Sequence, residues 1–363
     1  MLLRLSLLVL LSAAMSSCGT APEEMQNMPT LNGDAPIIIA HRGASGERPE
    51  HTLAAYELAI EQGADFIEPD LVLTKDGILV ARHENEISGT TDVADRPEFA
   101  DRKTTKTIDG TEFTGWFTED FTLAELKTLL AKERLPELRD ANTAFDGQFQ
   151  IPTFEEVLDL LKLHQAETGN RIGVYPETKH PGYFAGIGLP HDKPLLSLLT
   201  KYGYDGRDDP VFIQSFEVDN LKLLKLNTKV RLVQLVAGEG GPPDQPALRY
   251  ADMVKPDGLA DIAQYASGIG PSKSMVISRD ALGRLDKETG LVTAAHRAGL
   301  EVHPWTFRRE NYFLPTDFVS GVSPAGAGDL ESEVRRFVAA GVDGLFSDNP
   351  LQAVAALKPE PAE

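Results

Sequence analysis

From Ile37 onward, short apolar runs alternate with stretches of helical periodicity. Ile37–Ala40 is a compact β-branched run of the kind buried on both faces of a parallel sheet. Thr52–Gln62 carries Leu53, Tyr56, Leu58, Ala59 and Ile60 at helical spacing, and Gly63 suits its C-terminal stop. Asp65–Leu73 and Ile78–Ala81 read as the next strands. Later strands are expected at Ile172–Pro176, Val211–Ser215, Arg231–Val236, Gly268–Gly270, Glu301–Phe307 and Gly344–Ser347. Helices are expected between many of these, at Thr153–Leu163, Lys193–Lys201, Val218–Leu226, Leu291–Ala298 and Leu330–Ala340. Repeated strand–helix alternation predicts an α/β fold, a (β/α)8 TIM barrel. Its ninth strand is accounted for by a hairpin.

That hairpin joins Asp65–Leu73 to Ile78–His83 through Lys75-Asp76-Gly77, a link too short for a parallel crossover. A two-residue Asp76-Gly77 turn pairs Lys75 with Ile78 and sets His83 opposite Asp70, on the face that also carries Glu68. A slip of one residue would set His83 opposite Pro69, on the other face. The polar, glycine-broken stretch from Ser88 to about Gln150 reads as an insertion over one end of the barrel, with a capping box at Thr122–Glu125.

Charge narrows the function. The formal net charge is −20, so a nucleic-acid or anionic-membrane binder is disfavoured, and a phosphate site would need local cations. The single cysteine, Cys18, excludes an intramolecular disulfide. It follows a short apolar run, Ser6–Met15, with Arg4 before it. Met15-Ser16-Ser17-Cys18 resembles a bacterial lipobox, making residues 1–18 a signal peptide with Cys18 acylated, 19–36 a polar tether and 37–358 the catalytic unit. An ordinary signal peptide with an incidental cysteine is the competing interpretation. Either way the protein is expected in the periplasm or cell envelope, and as a lipoprotein it would be held to a membrane by lipid alone.

Polar residues crowd the carboxyl ends of the expected strands: His41-Arg42, Glu68-Pro69-Asp70, His83-Glu84, Glu177-Thr178-Lys179, Gln214 and Phe216, His303, Trp305 and Arg308, and Ser347-Asp348. In a barrel these ends converge on one face. Glu68 and Asp70 lie two apart on a strand and share a side. With Glu177 they form an all-oxygen set suited to Ca2+ or Mg2+; the competing arrangement is a salt bridge of Glu68 or Glu177 to Arg42 or Lys179 without metal. His41 and His83 suit the general acid and base of phosphodiester cleavage, and Arg42 and Lys179 suit the non-bridging phosphate oxygens. His51, His164, His180, His191 and His296 carry no such pattern.

His41-Arg42-Gly43-Ala44-Ser45, Pro49-Glu50-His51-Thr52, Glu68-Pro69-Asp70-Leu71, Lys75-Asp76-Gly77 and His83 together resemble the glycerophosphodiester phosphodiesterase family, in its periplasmic bacterial branch. The similarity continues through Tyr175–Lys179, Gln214–Phe216, Leu232–Leu235, Gly268–Pro271, His303–Thr306 and Gly344–Asp348. The resemblance implies hydrolysis of small-molecule glycerophosphodiesters to glycerol 3-phosphate and an alcohol. It implies catalysis by His41 and His83 and a Ca2+ or Mg2+ ion on Glu68, Asp70 and Glu177. It puts substrate contacts on Arg42, Lys179, Gln214, Phe216 and Trp305. Glu84 stands where the family commonly has Asp, and Ser347 where it often has Thr. The alternatives are a related barrel phosphodiesterase of phospholipase type that forms a cyclic phosphate, and a surface lipoprotein that only binds.

Overall fold

The computed structural model describes residues 29–358; Cys18 and the export-like segment lie outside the described residues. Among the described residues, fifteen strands follow in chain order. The first four are β1 (Ile37–His41), β2 (Phe66–Glu68), β3 (Asp70–Leu73) and β4 (Leu79–Ala81). A hairpin comes next, β5 (Thr104–Ile108) and β6 (Thr111–Gly115), then β7 (Gly173–Val174), β8 (Glu177–Thr178) and β9 (Phe212–Ser215). After these come β10 (Arg231–Val236), β11 (Gly268–Pro271), a second hairpin of β12 (Ile277–Arg279) and β13 (Leu285–Glu288), β14 (Glu301–Val302) and β15 (Gly344–Ser347).

Eight of the positions close into a parallel ring. β15 pairs with β1, β1 with β2, β2 with β7, and β3 with β8. The ring continues from β8 through β9, β10 and β11 to β14. It shuts where Asp343 N–H donates to Val302 O at 3.0 Å, Phe346 N–H to Pro304 O at 3.1 Å and Phe307 N–H to Phe346 O at 2.9 Å. β2–β3 and β7–β8 are each one staff of the barrel. They are interrupted at Pro69 and by Tyr175-Pro176, where proline offers no N–H to the ladder. Inside, Ile39, Phe66, Tyr175, Phe212, Val233 and Phe346 fill the barrel; Tyr175 stacks on Phe212 with ring centroids 4.8 Å apart. The expected (β/α)8 barrel is the observed one.

The hairpin register differs from the expectation. β3 and β4 are antiparallel, but Leu71 faces Ala81, Val72 faces Val80 and Leu73 faces Leu79. The turn holds three residues, Lys75-Asp76-Gly77, closed by Thr74 N–H donating to Ile78 O at 3.0 Å, with Gly77 at φ 78°. The one-residue slip therefore occurs, and Asp70 accepts from Arg82 N–H at 3.0 Å, not from His83. Regular pairing ends at Ala81, so His83 does not inherit the face that strand parity would assign it.

Other boundaries also shift. Only Glu301–Val302 of the expected Glu301–Phe307 strand is regular. The helix expected at Thr153–Leu163 runs Phe154–Thr168 behind a Thr153/Glu156 capping box. Short helices at Pro181–Gly186, Pro256–Ile262 and Pro350–Ala356 each open on a proline that the sequence reading passed over. Between β4 and the Phe154–Thr168 helix the chain forms short 3-10 turns, the β5–β6 hairpin and a four-residue helix, Leu123–Leu126, with the predicted Thr122/Glu125 capping box.

Candidate active site

β1 delivers His41 in register with Glu68 of β2, and β3 delivers Asp70 in register with Glu177 of β8. Carboxylate oxygens of Glu68, Asp70 and Glu177 all lie within 4.8 Å of one another, and all three residues are buried. Arg42 follows β1 in a left-handed conformation, φ 61°. Its backbone N–H donates to Glu68 Oε2 at 2.9 Å, which fixes that carboxylate. Gly43 makes this bend possible: a Cβ there would stand 2.6 Å from the backbone carbon of Ala55.

The acids are unequal. Burial pushes the Glu68 carboxyl well above its usual range, reinforced by Asp70 and Glu177. Burial also pushes Glu177 up to about 8 against the pull of Lys179. Burial would raise Asp70 too, but Lys179, His83 and His51 together hold it well below the ordinary value. Lys179 Nζ sits 2.9 Å from Glu177 Oε1 and 3.9 Å from Asp70 Oδ1. The salt bridge weighed against metal thus exists, but Lys179 and Arg42, the latter shared with Glu50, are two cations against three clustered carboxylates. Asp70 Oδ1 is buried with no hydrogen-bond partner. Clustered oxygen donors and an unspent oxygen fit a hard divalent cation.

His41 Nδ1 bonds Asp348 Oδ1 at 2.6 Å, and Asp348 is held in turn by Arg139 at 2.6 Å and Arg308 at 2.7 Å. His83 Nδ1 bonds Glu84 Oε1 at 2.5 Å, and Arg134 ties Glu84 to Glu50. Burial lowers His41 to about 4 and His83 to about 3, with Arg42 adding to both, so both imidazoles are neutral at pH 7. The 88–150 segment supplies Arg134 and Arg139, and so buttresses both histidines from above the carboxyl ends of the strands.

His41, Arg42, Glu68, His83, Glu177, Lys179, Gln214, Phe216 and Trp305 line one cavity of about 610 Å³. Asp70 lies just behind that wall. Every residue proposed for the site from sequence within the described chain is therefore in one place, His83 included despite the slipped register. Some are partly committed to protein. Gln214 Nε2 donates to Glu68 Oε1 at 2.9 Å, and Arg42 pairs with Glu50 at 3.0 Å and with Asp70 at 3.4 Å. Phe216 and Trp305 meet edge to face, centroids 6.0 Å apart.

His303, grouped with the strand-end residues by sequence, is not at the site: it is buried in the barrel interior against Tyr175 OH at 2.9 Å. His51, set aside by sequence, bridges Asp70 Oδ2 at 2.9 Å and Tyr56 OH at 2.7 Å. The available signal was its place in the Pro49–Thr52 motif. Asp348 was noted only as a strand end; its adjacency to β1 through the β15–β1 pairing makes it the partner of His41.

A closed parallel barrel whose carboxyl end gathers an acid cluster, two imidazoles and several cations is a barrel enzyme equipped for acid–base chemistry on a phosphate ester. Comparison with known proteins narrows this. Residues 41–352 match the glycerophosphoryl diester phosphodiesterase family, and the chain belongs to that family. A glycerophosphodiester phosphodiesterase of Arabidopsis thaliana is 37% identical over 363 residues, covering 94% of this chain and 93% of the relative. One from Haemophilus influenzae is 32% identical over 379 residues, covering 98% of each. In fold, an Oleispira antarctica phosphodiesterase solved with the product sn-glycerol-3-phosphate superposes with TM-score 0.59 at 21% identity, covering 90% of this chain and 99% of that one. A glycerophosphodiester phosphodiesterase from Agrobacterium tumefaciens gives 0.55 at 20% identity, covering 88% and 99%.

Proposed function

We propose that this protein hydrolyses glycerophosphodiesters to glycerol 3-phosphate and an alcohol, with His41 and His83 as the acid–base pair and Glu68, Asp70 and Glu177 as the holders of a divalent cation. The observation that carries it is the meeting of those five groups, His41, His83, Glu68 and Glu177 on one cavity and Asp70 beside the other two acids just behind its wall with Oδ1 unspent. A bound Ca2+ or Mg2+ would neutralise charge developing on the phosphoryl oxygens. Arg42 and Lys179 orient the non-bridging oxygens. One neutral imidazole takes a proton from the attacking water as its oxygen bonds to phosphorus and the bond to the alcohol oxygen breaks. The other, charged once the anionic phosphate lies beside it, returns a proton to the departing alkoxide. Asp348 and Glu84 each accept from an Nδ1–H, which leaves both Nε2 atoms for the substrate.

The same proposal has Cys18 lipid-modified and the enzyme at the cell envelope; its support is the Met15–Cys18 sequence. The deciding experiment is a coupled glycerol 3-phosphate assay on glycerophosphocholine, glycerophosphoethanolamine and glycerophosphoglycerol with and without EDTA. Release of glycerol 3-phosphate that chelation abolishes supports the proposal. A persistent cyclic phosphate would assign the chemistry to the lyase route instead, and no turnover would leave a binding protein.

A further inference from the structure

The acid cluster occupies only one side of the cavity. β2–β3 and β8 neighbour each other, whereas β11 lies three strand positions from β8 in one direction and four from β3 in the other, across the barrel mouth. The loops after β11 and β14 line that far wall with Ser272, Lys273, Ser274, Arg279 and Arg308. In a chain of net charge −20, this wall presents three cations to one cavity.

Their neutralisation is incomplete. Lys273 Nζ bonds Glu333 at 2.7 Å, and Arg279 stands 3.9 Å from the same carboxylate. Arg308 shares Asp348 with Arg139, and Arg139 also takes Glu310. Four cations, Lys273, Arg279, Arg308 and Arg139, face three acids, Glu333, Asp348 and Glu310, leaving one positive charge. Donors are left over as well. Arg308 gives its Nε–H to Asp348, and its terminal nitrogens find no acceptor among the described residues. Arg279 spends its terminal nitrogens on Phe313 and Leu314 carbonyls, at 2.8 and 3.4 Å, and Lys273 a second proton on Phe313 O at 3.4 Å. The hydroxyls of Ser272 and Ser274 lie 3.4 Å apart beside them. Neither Arg42 nor Lys179 belongs to this wall. A scissile phosphate held at the acid cluster leaves it free for the other end of the substrate, and about 610 Å³ is room for a ligand much larger than glycerol 3-phosphate.

We propose that Lys273, Arg279 and Arg308, with Ser272 and Ser274, form a second anion subsite that selects glycerophosphodiesters whose alcohol itself bears a phosphate or carboxylate. This rests on the phosphodiesterase reading above. A cationic headgroup such as choline meets net positive charge here, whereas an anionic one gains charge-assisted hydrogen bonds.

The test measures kcat/KM of the wild type and of Arg279→Gln on glycerophosphocholine, glycerophosphoserine and bis(glycerophospho)glycerol at fixed ionic strength. Arg279→Gln is the variant of choice because it touches neither His41 nor its Asp348 partner. The wild type is expected to prefer the doubly phosphorylated diester over the choline diester by at least tenfold. The variant is expected to reduce that ratio at least fivefold, chiefly through KM. Loss confined to bis(glycerophospho)glycerol identifies phosphate as the ligand; loss extending to the serine diester admits carboxylate. An equal loss on all three diesters overturns the inference, because the wall would then serve the shared glycerophosphate, and so does an unchanged ratio. Absence of turnover by the wild type on every diester would overturn the phosphodiesterase reading itself.

Discussion

At the scale of single residues, the chemistry depends on side chains that hold other side chains. Removing either imidazole, His41→Ala or His83→Ala, should lower kcat by about 10²–10⁴-fold with an unchanged circular dichroism spectrum; retained turnover in either would remove that histidine from the mechanism. Asp348→Asn tests the support behind His41. The amide keeps the shape but can no longer stabilise the imidazolium, so kcat should fall on the order of tenfold or more while KM moves little. His51 is the counterpart behind the acid cluster. It is fully buried between Tyr56 and Asp70, so His51→Ala should weaken calcium or magnesium affinity about 10–100-fold in titration calorimetry, with His51→Asn recovering part of it. Undiminished affinity in His51→Ala would reduce the residue to packing. These supports were the least legible part of the sequence. His41, Glu68 and Asp70 announce themselves by type and spacing, but a residue that acts through its neighbour is recognised only once strand pairing says which neighbour it has.

At the scale of elements, legibility followed periodicity and failed at irregular joints. β1, β9, β10 and β15 lie where the apolar runs put them, because a strand buried on both faces leaves an unbroken signal. The β3–β4 turn was misjudged by one residue, since Asp76-Gly77 fits a two-residue loop as well as the observed three-residue one, in which Thr74 Oγ1 donates to Asp76 Oδ1 at 2.6 Å. Glu217, just beyond β9, shows what such a joint costs. Burial pushes its carboxyl up to about 8, assisted by Asp109 and Asp244, while Oε2 accepts from Gly182 N–H at 2.9 Å and Oε1 has no partner. The folded value exceeds the unfolded one of about 4.3. This group's stabilising contribution is therefore complete below about pH 4.3 and is lost as pH rises through about 8. Glu217→Gln keeps an acceptor for Gly182 without the charge. It should be the more stable form at high pH, by up to about 5 kcal/mol if the whole shift is lost, with the advantage vanishing towards pH 4 in urea melts. A pH-independent difference would mean that the carboxylate is hydrated after all.

At the scale of the whole molecule, eight strands bring three acids into a volume where they cannot all be charged without a counterion. Ionisation of Glu177 should therefore cost the apo fold stability. Its folded pKa of about 8 is raised above the unfolded value, so the stability it contributes fades between about pH 4.3 and 8. A divalent cation reverses this, because binding needs the carboxylates deprotonated and displaces the Glu177 proton. Apparent affinity should strengthen at least about tenfold per pH unit up to pH 8, where the Glu177 proton is lost, and more steeply wherever Glu68 must also give up a proton. At a fixed free cation concentration of about 100 times the Kd measured at pH 9, mass action adds about 2.7 kcal/mol there, and less at each lower pH. The measurement is a set of thermal melts from pH 5 to 9 with EDTA or with calcium. The gap between the two midpoints should widen by several degrees with rising pH and should close in Glu177→Gln, which cannot release the proton. A gap that stays constant across that range, or one that survives unchanged in Glu177→Gln, would place the cation somewhere other than on these three carboxylates.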